Sequence, residues 1–238
     1  MIQEALQSVM KANKKFEISF VCVYDPRDEH LIEGLQATLP KDAEWIFVKC
    51  IQDKTISKTD VQTNLITYKE YRYISAEIKI NPNDFNFSLV KNIANQYANY
   101  NYIFSIDADE RLQIDQHEII KKMITDYNYG VIAMKVYDPA GINAGIVSRL
   151  FKKDFEWLGY CHEQISKNGE VVEPEVITNI LIRHDGYHIE KNRNKRNLFL
   201  LLKDVENNTK DYWLSKIINI CYNIKNKELE NAKKNANR

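Results

Sequence analysis

The strongest constraint in this chain is an alternation of short apolar runs with amphipathic stretches. Residues 16–24 (FEISFVCVY) are β-branched and aromatic, and Asp25-Pro26 ends them as a turn. Residues 30–39 read as a helix stopped by Pro40, and 44–51 (EWIFVKCI) as a second strand. Residues 52–70 are polar and ambiguous, whereas 71–80 alternate well enough for a strand closed by Pro82. Residues 86–98 then place Phe87, Val90, Ile93, Ala94 and Tyr97 on one helical stripe. Residues 102–106 (YIFSI) form a compact strand, 115–127 another helix and 130–137 (GVIAMKVY) another strand. Strand and helix at this spacing predict an α/β fold with a mostly parallel central sheet. Residues 1–15 are expected to form a short amphipathic helix through Ile2, Leu6, Val9 and Met10. Shorter strands follow residue 146, and a helical tail begins near Lys191 with Leu198, Leu201, Leu202 and Val205 in register. The expected organisation is one domain over 1–190 and a C-terminal helical extension over 191–238.

Composition narrows the function classes. The 238 residues carry 33 Lys+Arg against 33 Asp+Glu, a formal net charge of zero. Binding nucleic acid or an anionic membrane through bulk positive charge is therefore disfavoured, although a local basic groove is not. At 44% hydrophobic and 28% charged, the chain can bury a core. Seven glycines and five prolines exclude collagenous and Gly-rich solenoid architectures. The first twenty residues lack a basic region followed by an apolar stretch. The longest aliphatic clump, 198–202, is far short of the ~20 residues a transmembrane helix needs. Four scattered cysteines without a CxxC (Cys22, Cys50, Cys161, Cys221) argue against a disulfide scaffold or zinc ribbon. The expectation is a cytoplasmic protein with reduced, mostly buried thiols and no transmembrane segment.

Three stretches carry chemistry. In YIFSIDADERL (102–112), side chains alternate, so Asp107 and Asp109 share one side if the extended backbone persists past Ile106. Paired carboxylates at the carboxyl end of a strand can grip a divalent cation and the phosphates it carries, at the sheet edge where α/β folds bind ligands. A solvated turn is the other reading, since D-x-D arises by chance about once in a chain this long. In SRLFKKDFEWLGYCHEQI (148–165), Arg149 and aromatic residues precede Gly159, His162 and Glu163. A glycine ahead of an acidic residue lets the backbone approach a ligand while the carboxylate takes a proton; an ordinary strand edge reads equally well. In LIRHDGYH (181–188), His184 ends an apolar strand and is either a neutral imidazole ligand or a structural histidine.

The ordered set of these segments resembles family 2 glycosyltransferases of the GT-A type, in the bacterial branch whose catalytic domain is often followed by helical repeats. The matching residues are Phe87-Ser88-Leu89-Val90-Lys91-Asn92, then Asp107-Ala108-Asp109-Glu110-Arg111 and Arg149-Leu150-Phe151. They continue with Gly159-Tyr160-Cys161-His162-Glu163 and His184-Asp185-Gly186-Tyr187, so the resemblance spans roughly 16–205. It implies a Rossmann-like GT-A catalytic domain and inverting sugar transfer from a nucleotide-sugar, expected to be a UDP-sugar, with Mn²⁺ or Mg²⁺. It implies Glu163 as the catalytic base, and Asp107, Asp109 and His184 around the metal. Asp109 is then the direct ligand, and Asp107 leans toward the donor's ribose. Lys91 and Arg149 fall on the donor side. The implied acceptor is a peptide, a glycan or a lipid-linked molecule.

This chain departs from the family pattern in places. The usual D-x-G-S-x-D loop that grips the nucleobase is replaced by Val48-Lys49-Cys50-Ile51-Gln52-Asp53, which leaves Asp53 as the substitute donor contact. Lys91 stands for the motif's arginine and loses its planar fork. These departures keep open a second reading, a GT-A scaffold without catalysis that binds a glycan or partner. A nucleotidyltransferase shares the metal logic but leaves the H-E and H-x-G-Y segments unexplained. The basic cluster Lys191, Arg193, Lys195 and Arg196 reads as a solvated helix face or as cations closing over the diphosphate.

Overall fold

The structure, a computed structural model, describes residues 16–57, 62–68, 73–139, 144–161, 163–185, 198, 200–204 and 221. The expected helix over 1–15, the basic cluster at 191–196, and His162, Gly186 and Tyr187 lie outside these residues. So does most of the 191–238 extension, of which Leu198 and residues 200–204 have helical backbone.

The chain begins with β1 (Ile18–Tyr24), a 3₁₀ turn (Pro26–Leu31) and α1 (Ile32–Gln36). Strands β2 (Glu44–Gln52), β3 (Gln62–Tyr68) and β4 (Tyr73–Ile80) lead to α2 (Phe87–Gln96). Next come β5 (Tyr102–Ser105), β6 (Glu110–Leu112), α3 (His117–Asp126), β7 (Val131–Tyr137) and β8 (Ala144–Lys152). The short strands β9 (Glu156–Leu158), β10 (Gln164–Lys167) and β11 (Glu170–Val171) form a separate three-stranded sheet, and β12 (Val176–His184) returns to the main one.

The main sheet has nine strands in the order β3-β4-β2-β1-β5-β8-β7-β12-β6. The run β4-β2-β1-β5 is parallel throughout, and so is β7-β12. Antiparallel pairing enters at β3, at β8 with both of its neighbours, and at β6. Because β8 inverts the direction twice, β7 and β12 run the same way as β5. The carboxyl ends of β1, β2, β4, β5, β7 and β12 therefore share one edge, the edge at which α/β sheets present ligand sites.

Both faces of this sheet are covered, which is why β1 and β5 read as unbroken apolar runs. Phe16, Phe20, Phe104, Leu35 and Ile120 fill one side, with Phe20 and Phe104 stacked at 4.9 Å. Val21, Ile103, Phe151, Val90 and Ala94 fill the other, with Phe151 edge-on to Trp157 at 5.3 Å. Two details differ from the sequence expectation. Helical winding starts at Pro26 rather than residue 30, because Asp25 caps the turn by accepting from the Arg27 amide and Pro26 supplies a pre-set φ. The ambiguous stretch 52–70 contains β3, an antiparallel edge strand whose existence depends on the β4 partner.

A buried carboxylate ties the amino ends of the parallel strands together. Glu44, 1% exposed, accepts from Ser19 Oγ at 2.5 Å, from the Asn99 amide at 2.8 Å and from Asn99 Nδ2 at 2.5 Å. The Tyr100 amide donates to Ser19 Oγ at 3.2 Å, so β1, β2 and the loop into β5 share one knot. Glu44→Ala strands these donors and is expected to lower unfolding free energy by about 3 kcal/mol, read by urea denaturation. The thiols give a second test. Cys22, Cys50 and Cys161 are buried and Cys221 exposed, and none of the four is in a disulfide. Burial pushes the Cys50 thiol up to about 12; it lifts Cys22 well above its ordinary value, and the carboxylates of Asp107, Glu110 and Asp109 add to that. Ellman's reagent at pH 8 should therefore titrate one thiol quickly in the native protein and the other three only after denaturation.

Candidate active site

The site is built where β5 reaches the shared carboxyl edge. The Ile106 amide still donates to Val21 O at 3.0 Å, so the parallel ladder holds through that residue. The backbone then turns, and the Glu110 amide closes onto Asp107 O at 3.0 Å. The extended continuation on which Asp107 and Asp109 would share a side is thus replaced by a turn. The two carboxylates have different surroundings as a result: Asp107 meets Arg149 and Lys91, and Asp109 meets His184.

Arg149 reaches this turn because of a local irregularity in β8. Ile132 pairs with Leu150 and Ala133 with Ser148, so Arg149 is the extra residue of a bulge and its side chain is re-aimed. Its Nη2 donates to Asp107 Oδ2 at 2.8 Å and forms a closer contact with Glu110 Oε1. Glu110 has no solvent exposure, and its Oε2 accepts the Asp107 amide at 3.0 Å. Burial would raise the Asp107 carboxyl, but the Arg149 and Lys91 charges outweigh it and hold the group well below the usual carboxylate range. Glu110 moves the other way: burial dominates, Arg149 only partly opposes it, and the neighbouring Asp107 charge adds to the rise. Arg149, expected on the donor side, has its Nη2 committed to these two carboxylates.

Lys91 projects from α2, which Asn86 caps by accepting the Leu89 amide at 3.1 Å. Its Nζ lies 3.6 Å from Glu163 Oε1 and 4.0 Å from Asp107 Oδ1, and 4.6 Å above the Trp157 ring. A cation so placed links the candidate base to the candidate donor-side carboxylate, and the ring adds cation–π attraction. Glu163 follows a turn at Gly159, whose φ of 105° lies where a side chain is strained. The third group comes from β12. His184 pairs in register with Glu110 of β6, which sets its Nε2 3.7 Å from Asp109 Oδ2, and the Asp185 amide donates to Asp109 O at 2.8 Å. Arg111 fastens the same turn, donating to Ala108 O and Glu110 O at 2.7 Å each and to Leu31 O at 3.2 Å.

Tertiary structure thus brings together Lys91, Asp107, Asp109, Arg149, Glu163 and His184. Asp53 is elsewhere on the edge. It caps its own turn, accepting from the Thr55 amide at 2.8 Å and Thr55 Oγ1 at 2.6 Å, and those bonds lower its carboxyl pKa. Lys49, in β2, lies 2.8 Å from Glu29 and 3.7 Å from Glu77. Sequence reading assigned no role to Glu110, Trp157 or Asp204. An acidic residue directly after D-x-D, with an arginine elsewhere to neutralise it, was the available signal for Glu110; nothing in the sequence pointed to Asp204.

No family model matches the sequence, and no curated protein matches it. Solved structures overlap with it at low identity. S. aureus TarS is 10% identical at a TM-score of 0.49, over 85% of this chain and 43% of that one. S. aureus TarS 1–349 in complex with UDP-GlcNAc is 10% identical at 0.48, over 87% and 72%. The apo-form glycosyltransferase GlyE of Streptococcus pneumoniae is 12% identical at 0.33, over 57% and 33%. The chain spans under half the length of the first of these. Overlaps at this level assign no activity. Among the described residues, no helix is long and apolar enough to cross a membrane.

Replacing Arg149 with methionine leaves Glu110 buried beside Asp107 without a counter-charge. The expected cost is about 3–5 kcal/mol in urea unfolding at neutral pH, and adding Glu110→Gln should restore part of it.

Proposed function

We propose that the chain is a glycosyltransferase of the GT-A type, in family 2, that moves a sugar with inversion from a UDP-sugar to an acceptor hydroxyl. The observation that carries this reading is the convergence of Asp109 with His184, and of Glu163 with Lys91, on the carboxyl edge of the parallel strands. Among the described residues no three metal-ligating side chains cluster. The donor set fits a cation that takes the rest of its shell from phosphate oxygens and water, as Mg²⁺ and Mn²⁺ do in nucleotide sites. Asp109 and His184 would hold it, with Asp107 on the donor side. A bound Mn²⁺ or Mg²⁺ would supply positive charge where the diphosphate leaves.

The chain's own residues account for the remaining chemistry. Glu163 accepts the acceptor hydroxyl's proton as that oxygen bonds to the anomeric carbon. The bond from that carbon to the diphosphate oxygen breaks, and its electron pair stays on the diphosphate. Lys91 places a fixed charge between base and donor, and its low exposure excludes water from the contact. The acceptor class is a peptide, glycan or lipid-linked molecule.

A second reading, a scaffold without catalysis that binds a glycan or partner, is supported by Lys49, which pairs with Glu29 and Glu77 near the place where the family pattern has an aspartate. Calorimetry with UDP-sugars and Mn²⁺ separates the two, because a scaffold gives no heat. For the transferase, Asp109→Ala and Glu163→Gln should each slow UDP-sugar hydrolysis or transfer by about 100-fold or more, and EDTA should silence the wild type. Equal rates in wild type and both variants would sink these roles.

A further inference from the structure

We propose that Asp204 is a positioning residue for Glu163, holding the loop that presents this carboxylate to the site; the inference rests on the glycosyltransferase reading above. Asp204 has no solvent exposure. Its Oδ1 accepts the Tyr160 amide at 2.7 Å and its Oδ2 the Cys161 amide at 3.2 Å, 44 and 43 residues away in the chain. These amides lie just after Gly159 and just before Glu163, in the segment whose course decides where the base points.

Several contacts make this a built arrangement. Leu200 and Leu201, on the same helical turn as Asp204, are buried in the core cluster that contains Phe151, Trp157 and Cys161. Lys203 Nζ donates to Asn83 O at 2.6 Å and lies 5.6 Å from the Tyr160 ring centroid. From the other side, the Phe87 amide at the start of α2 donates to Tyr160 O at 3.3 Å. The loop is thus clamped between Asp204 and the helix that carries Lys91, and Glu163 emerges from the clamp 3.6 Å from Lys91 Nζ. The two amides approach separate oxygens, and asparagine would offer an acceptor at only one of those places and a donor at the other. The leucines pack this turn without help from a charge. Burial raises the Asp204 carboxyl, the two amide bonds oppose that rise, and the Glu163 charge adds to it. An acidic side chain buried at this place is explained by the two loop amides it holds.

The test compares the 238-residue chain with its Asp204→Asn and Asp204→Ala variants, all in a Cys221→Ser background. Transfer from a UDP-sugar at saturating Mn²⁺ should lose about 10- to 100-fold in kcat with donor KM changed less than about 2-fold, because the base is misplaced while the donor subsite stays intact. Cys161 should react faster with Ellman's reagent in both variants while Cys22 and Cys50 stay protected, since only the loop is released. Unchanged kcat in both variants overturns the proposal, and so does a loss that scales only with the folded fraction seen by circular dichroism. If the wild type itself turns over no donor, the transferase reading has failed, and Cys161 reactivity alone then decides the clamp: acceleration upholds it, and an unchanged rate overturns it.

Discussion

A single buried guanidinium governs the candidate site. Arg149 bonds through one nitrogen to both Asp107 and Glu110, and Glu110 returns to the Asp107 amide. Two carboxylates this close at the end of a buried strand repel each other and resist desolvation. The turn after β5 can take its course only because a cation arrives from β8, and it arrives because β8 carries one extra residue between its pairings with β7. The partners diverge in consequence. Asp107 is kept ionised and half-turned to the edge, while Glu110 becomes interior structure. The D-A-D-E segment thus divides its labour: Glu110 supports the turn, Asp107 pairs with Arg149 and Lys91, and Asp109 is left to meet His184.

Around that pivot the site is assembled from four strands, a helix and a loop. Lys91 is the cation that joins the two halves, with Asp107 on one side and Glu163 on the other. This arrangement gives a physical reason why a lysine can stand where the resembling family has arginine. A point charge over the Trp157 ring, between two carboxylates, requires no planar fork. The same pairing of charges accounts for the altered segment at the end of β2. Lys49 has found two glutamates from neighbouring elements, and Asp53 Oδ1 accepts both the amide and the hydroxyl of Thr55.

Much of the fold was legible because burial on both faces writes itself as apolar runs. β1, β2, β5 and β7 were placed within a residue or two, α2 showed a helical stripe, and α3 was expected as a helix over 115–127. β6 and β3 were not, for different reasons. β6 is three residues long and exists only as a partner for β12, and β3 is an edge strand defined by β4. Neither pairing leaves a period in the local sequence. The candidate residues Lys91, Asp107, Asp109, Arg149, Glu163 and His184 were all visible as motif positions, but their relations were not. The expected shared side of Asp107 and Asp109 failed because a backbone turn, invisible to alternation, follows Ile106.

The sequence by itself determined the layered α/β character, the positions of most strands, and which polar residues stand at strand ends. Those follow from periodicity, since hydrophobic spacing is a local record of which faces are buried. Only the tertiary structure decided that Arg149 neutralises Glu110, that Lys91 lies between Glu163 and Asp107, and that Asp204 reaches back over 40 residues to the loop before Glu163. Each is a contact between groups far apart in the chain. Charge pairing and backbone hydrogen bonding depend on distance in space, and no local pattern encodes it.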